Sequence, residues 1–220
     1  MLIAGWSIAP AAYLSESNKT SMQTPFITLL AFAMSAFTSA CSMSTEKVDA
    51  KKNPDPKMRY EVTLTIDNAP GPFDSITGFM QYEVTNRECV PVTGAPMNPL
   101  RLPPKEDPEI QFIKVADNVY KGTVYGDYFQ DEDYFGLGVC RWSLIAVITS
   151  LDINKLSFSP RLSADELFSQ QSPTTYFVGQ LYHRNDIDIP VFGESRKDAY
   201  PPDRQKDLFS VTLSSKELFK

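Results

Sequence analysis

Positive charge is in short supply: 21 Lys and Arg stand against 27 Asp and Glu, a net charge of -6. No basic face is available to neutralise phosphates, which argues against a nucleic-acid-binding role. Histidine occurs once, at His183, and no G-x-S-x-G elbow accompanies it, so a serine triad has little to be built from. Glycine is sparse at 10 residues and forms neither a P-loop nor a dinucleotide-binding pattern. The three cysteines contain no C-x-x-C pair, and with a single His they do not supply spaced zinc ligands. These absences point away from an enzyme and leave no cofactor to expect.

What is abundant is proline, at 17 residues, which favours turns and extended connections over long helices. One apolar stretch stands out, Phe26 to Phe37 (FITLLAFAMSAF). It falls short of the roughly 20 apolar residues that cross a bilayer, but fits the apolar region of a secretory signal. Residues 1–40 are therefore expected to be a signal peptide. Lys19 is the only positive charge before the apolar stretch, and residues 1–21 read as no part of a signal, so Met22 is an alternative start.

The stretch ends in Phe37-Thr38-Ser39-Ala40-Cys41. This resembles the bacterial lipobox: Ser39 and Ala40 match its small residues, Cys41 falls on the lipidated position, and Thr38 departs from the usual aliphatic residue. The resemblance implies a lipoprotein anchored through Cys41 at the periplasmic face of the cell envelope. Ser42 after the cysteine resembles the sorting signals that favour the outer membrane over the inner one. An ordinary A-x-A cleavage site at Thr38 and Ala40 remains the alternative. With Cys41 assigned to lipid, Cys89 and Cys140 are left as a pair for an oxidising compartment, and a structural disulfide between them is expected.

Beyond Cys41, the polar run Ser42 to Lys57 carries two prolines and reads as a flexible tether, so residues 41–57 form the lipidated cysteine and its linker. Residues 58–220 read as a single domain. Tyr60 to Asp67 alternates apolar and polar residues, the period of a half-buried strand. Ile76 to Thr85 is a second strand, expected beside the first across the turn Asn68–Pro72. Pro91 to Pro108 is a proline-rich extended connection. Ile110 to Val115 and Val119 to Tyr125 flank an Asp117-Asn118 turn. Trp142 to Thr149 is apolar on nearly both faces and should be a central strand. Leu156 to Phe158, Thr175 to Tyr182 and Leu208 to Leu213 continue the pattern, and Ser163 with Glu166 forms a capping box for one short helix. The fold expected is all-β: an antiparallel β-sandwich of about seven or eight strands with one short helix and a long proline-rich connection.

The segment Gly126 to Val139 (GDYFQDEDYFGLGV) interleaves acids with aromatics. Three readings are open: a calcium site, a recognition loop with aromatic anchors ringed by charge, or a plain connection whose aromatics are tucked inward. The recognition reading nominates Asp127, Tyr128, Asp131, Glu132 and Asp133 as partner contacts. The block Asn86 to Pro91 (NRECVP) and the run Asp131 to Trp142 (DEDYFGLGVCRW) resemble lipoproteins of Gram-negative bacteria with no assigned activity, some of them encoded near secreted antibacterial effectors. That resemblance implies an immunity protein, binding a toxin that acts in the periplasm, as by a type VI secretion effector. An envelope structural or assembly lipoprotein is the alternative.

Overall fold

The computed structural model describes residues 48–94, 97–186 and 188–219. The expected signal peptide and Cys41 lie outside the described residues.

In chain order the strands are β1 (Arg59–Asp67), β2 (Ser75–Val84), β3 (Lys105–Glu106), β4 (Glu109–Ile110), β5 (Ile113–Ala116) and β6 (Val119–Tyr125). They continue with β7 (Trp142–Ile153), β8 (Leu156–Phe158), β9 (Arg161–Ser163), β10 (Thr174–Val178), β11 (Pro190–Val191) and β12 (Leu208–Glu217), with one helix, α1 (Ala164–Phe168), after β9. They form a β-sandwich. One sheet runs β10-β12-β1-β6-β5, the other β11-β8-β7-β2-β3, with β4 also on β2 and β9 also on β7.

Alternation decides which side chains meet between the sheets. In β1, Tyr60, Val62, Leu64 and Ile66 are buried while their neighbours are half-exposed. From β12, Phe209, Val211 and Leu213 join them, and from the facing sheet Met80, Tyr82 and Val84 of β2. Strand β7 is central, as its composition requires, lying between β2 and the pair β8 and β9. Its register against β2 slips by one residue at Gln81/Tyr82. Such a bulge reverses which residues point inward. Accordingly Leu144 and Ala146 are buried before the reversal, and Val147, Thr149 and Leu151 after it.

Three expectations change. Strands β1 and β2 are not neighbours; they belong to opposite sheets, because the Asn68–Asp74 connection crosses the sandwich instead of closing a hairpin. The run Ile110 to Val115 is not one strand. Its first part pairs with β2 at Gly78 and Phe79, and its second pairs with β6, so the chain changes sheets at Gln111–Phe112. Two glycines leave room for that crossing: a Cβ on Gly122 would sit 2.6 Å from Ile110, and one on Gly78 would sit 2.8 Å from Phe112. Finally, Thr175 to Tyr182 is a strand only to Val178; the Asp207 carboxylate accepts the N–H of Gln180 and the chain coils into a 3-10 turn, Gly179–His183.

The capping box is present at α1, where the Ser163 hydroxyl accepts from the N–H of Glu166 and the Glu166 carboxylate accepts from the N–H of Ser163. Cys89 and Cys140 are joined as a disulfide with 5.3 Å between their Cα atoms. The bridge ties the turn after β2 to the residues entering β7, at the end of the sandwich where β1 begins and β12 ends.

Candidate functional site

The acidic and aromatic segment Gly126 to Val139 folds against the stretch that the sequence assigns to the tether. Residues 48–57 do not stand free. Asn53 N–H donates to the Tyr128 carbonyl at 2.7 Å, and Gln130 N–H donates to the Lys51 carbonyl at 2.9 Å. The Lys51 ammonium meets the Glu132 carboxylate at 2.6 Å, a hydrogen bond that holds its pKa above the ordinary lysine value. Lys52 sits over the Tyr128 ring, 5.6 Å from its centre. Residues 48–57 thus form a strap along the domain, held by main-chain and polar bonds and by the packing of Val48 and Ala50 against the core.

Each nominated contact residue has a place in this fastening. The Asp127 carboxylate accepts from the N–H groups of Lys57 at 2.8 Å and Met58 at 3.0 Å. Asp131 accepts from the N–H of Trp142 at 2.9 Å, and Asp133 from that of Leu137 at 3.0 Å. Glu132 holds Lys51. Asp127 and Glu132 thus fasten the strap, while Asp131 and Asp133, which remain exposed, shape their own loop. Tyr128 is half-buried and packs its ring against Tyr82, Tyr125 and Phe129. Tyr82 lies beneath, its hydroxyl donating to the Tyr125 carbonyl, and burial pushes its pKa well above the usual tyrosine value.

A different surface joins carboxylates to open hollows. The turn carrying β3 and β4, Lys105 to Ile110, stands between two grooves. The first, about 500 Å³, has Tyr128 and Phe129 on its floor and four carboxylates, Asp49, Glu106, Asp107 and Glu109, with one cation, Lys52, around it. The second, about 650 Å³, is floored by Ile76, Phe79, Ile110, Phe112 and Ile113, and again rimmed by Asp107 and Glu109. Among the described residues none of these four carboxylates is in an ion pair: Lys105 is drawn to Glu83, and Lys52 lies over Tyr128. The grooves exist because the chain leaves β2 at Gln111 to change sheets, uncovering the first residues of β2 beside the edge strand β5. Of the five residues nominated from sequence, only Tyr128 lines either groove. Local pattern could not find the rest, since residues 48–52, 76–79, 106–113 and 128–129 come together only through the fold.

This surface sets carboxylates around aromatic and aliphatic side chains. His183 is exposed at the end of its 3-10 turn. Among the described residues no three His, Cys, Asp or Glu side chains converge as metal ligands, and no helix is long and apolar enough to cross a membrane. No family model, curated protein or solved structure matches the chain.

Proposed function

We propose that this chain is an exported lipoprotein, held at the periplasmic face of the envelope through Cys41, that works by binding a protein partner and catalyses no reaction. Most concretely, it would be an immunity protein that neutralises a secreted antibacterial effector by covering the effector's active cleft. The observation that carries the reading is the pair of adjoining grooves that share the carboxylates of Asp107 and Glu109, which make no ion pair among the described residues. An apolar floor supplies the contact area of a protein interface, and an anionic rim speeds capture of a cationic partner and disfavours acidic ones. A cationic, extended segment of the effector is the occupant this chemistry suits.

The test is genetic. A strain deleted for the gene is challenged with a sibling strain that delivers its effectors. Loss of survival, restored by the wild-type gene and not by one carrying Asp107→Lys with Glu109→Lys, supports the reading. Unchanged survival of the deletion strain overturns the immunity assignment and turns the search toward an assembly role in the envelope.

A further inference from the structure

The end of the sandwich that carries the disulfide also carries an exposed apolar surface of a different kind. The residues between β2 and β3 form an arm that leaves the sheet after Val84 and returns at Pro104, whose carbonyl accepts the N–H of Val84. Thr93 and Leu100 pair across the arm. Its side chains Val92, Met97, Leu100 and Leu102 face solvent, Met97 at 98% exposure. The Arg101 guanidinium pins the arm to the turn before it by donating to the carbonyls of Glu88 and Val90. Beside that turn, Leu137 and Val139 line a hollow with Glu88, Cys89 and Arg141, and both are about half-exposed. Half of the twelve large exposed apolar side chains among the described residues therefore project from two loops that flank one disulfide.

The strap reaches the same end. Lys51 lies against Gln130 and Glu132, and Glu132 pairs with Cys140. Because residues 48–57 are docked, the chain from Cys41 to Val48 spans at most about 25 Å even when fully extended. Val48 itself lies beside Glu106 to Glu109 in the first groove, so a lipid on Cys41 would hold the side of the domain that carries that groove and the neighbouring disulfide loops toward the bilayer.

The geometry points to a lipid surface as the occupant of this apolar face: the arm and the 137–139 loop would dip into the headgroup region and fix the domain's orientation on its membrane. The inference rests on lipidation at Cys41. Apolar faces that lie at an interface enter about 5–10 Å into the headgroup and acyl boundary. Arg87, Arg101 and Arg141 lie beside the loops, and Glu88, Asp131 and Asp133 offset them, so docking here is apolar and should depend little on salt. The first groove is lined in part by the strap, at Val48, Asp49, Ala50 and Lys52, and would lie beside the anchor, whereas the second draws only on residues within 76–79 and 107–113 and would stay open to a partner.

Tryptophan probes read this directly. The full-length chain carrying Met97→Trp or Leu137→Trp is matured in its own cells, purified with its lipid, and placed in phosphatidylethanolamine–phosphatidylglycerol vesicles with brominated acyl chains. Phe192→Trp, on the loop after β11, is the control, and Trp142 is buried in every variant. The expected result is about twofold quenching of the added emission at positions 97 and 137 and none at 192, unchanged by high salt. A chain that carries lipid and floats with the vesicles, yet shows no quenching at either loop, overturns the docking and leaves the anchor standing. A mature chain whose mass shows no lipid on Cys41 removes both.

Discussion

The Asp127 carboxylate accepts the main-chain N–H of Met58 at 3.0 Å, and its second oxygen accepts that of Lys57 at 2.8 Å. One side chain thereby closes the strap against the domain at the point where β1 begins. Hydrogen bonds to a carboxylate are stronger than neutral ones, and removing the acceptor leaves both donors to find water.

Replacing Asp127 with Ala should therefore cost about 1–3 kcal/mol of stability and loosen the strap more than the sandwich. Amide hydrogen exchange separates the two effects. Lys57 and Met58 should exchange much faster in the variant, while Leu64 in the core of β1 loses no more protection than the fall in overall stability. Equal protection at Met58 in both proteins would show that the strap is held without Asp127.

Reduction of the Cys89–Cys140 bridge frees a loop with a sequence separation of 51. On the chain-entropy account, that loss amounts to about 4 kcal/mol. Urea unfolding of the Cys89→Ser, Cys140→Ser double variant should move to lower denaturant by the corresponding amount, with a sandwich that still forms. A midpoint unchanged from the oxidised wild type would mean that the unfolded chain gains nothing from the cut.

The sequence announced faces better than partners. Tyr60 to Asp67 shows its inward set in plain alternation, and the Asp117-Asn118 turn is legible because Asn tolerates the left-handed conformation that Asn118 adopts, with φ of 58°. Ser163 and Glu166 announced the helix they cap. Alternation says nothing of which sheet a strand joins, so the placement of β1 and β2 in opposite sheets was invisible, as was the sheet change at Gln111. The acids of residues 127–133 left calcium, recognition and plain-connection readings open; Asp127, Asp131 and Asp133 hold backbone N–H groups, which every residue but proline carries, Glu132 holds Lys51, and Tyr134 and Phe135 pack against the core. Asp107 and Glu109 stand at the end of a proline-rich stretch with no periodicity, and only the fold sets them beside Phe79, Phe112 and Phe129.

Asp152, at the opposite end of β7, carries a pH signature. Partial burial alone would raise its pKa, but hydrogen bonds from the hydroxyls of Ser75, Ser150 and Ser157 outweigh it and hold the carboxyl below the ordinary carboxylate value. A depressed folded pKa stabilises fully above the unfolded value of about 4, and that stabilisation is lost as pH falls through the folded value. The stability difference between wild type and Asp152→Asn, followed by urea unfolding from neutral pH into acid, should shrink below about pH 4. A difference that stayed constant through that range would contradict the assignment.

Anchoring makes a prediction independent of the fold. Cys41→Ser should leave the chain unlipidated by mass and move it from the membrane fraction to the soluble one, while the Cys89–Cys140 bridge still forms. An unaltered distribution, or processing of the wild type that globomycin leaves untouched, would place cleavage at an ordinary signal peptidase site and end the lipoprotein reading.

Binding at the grooves with acidic rims is the centre of the account, and site-specific photocrosslinking in living cells measures it most directly. A photoreactive residue replaces Glu109, and a second strain carries it at Lys155, on the exposed turn between β7 and β8. Both strains are challenged by the effector-delivering sibling and irradiated. An adduct with the effector is expected at position 109, none at 155, and the adduct should be lost when Asp107→Lys is added. No effector adduct at 109, or adducts of equal yield at both positions, would contradict binding at the grooves.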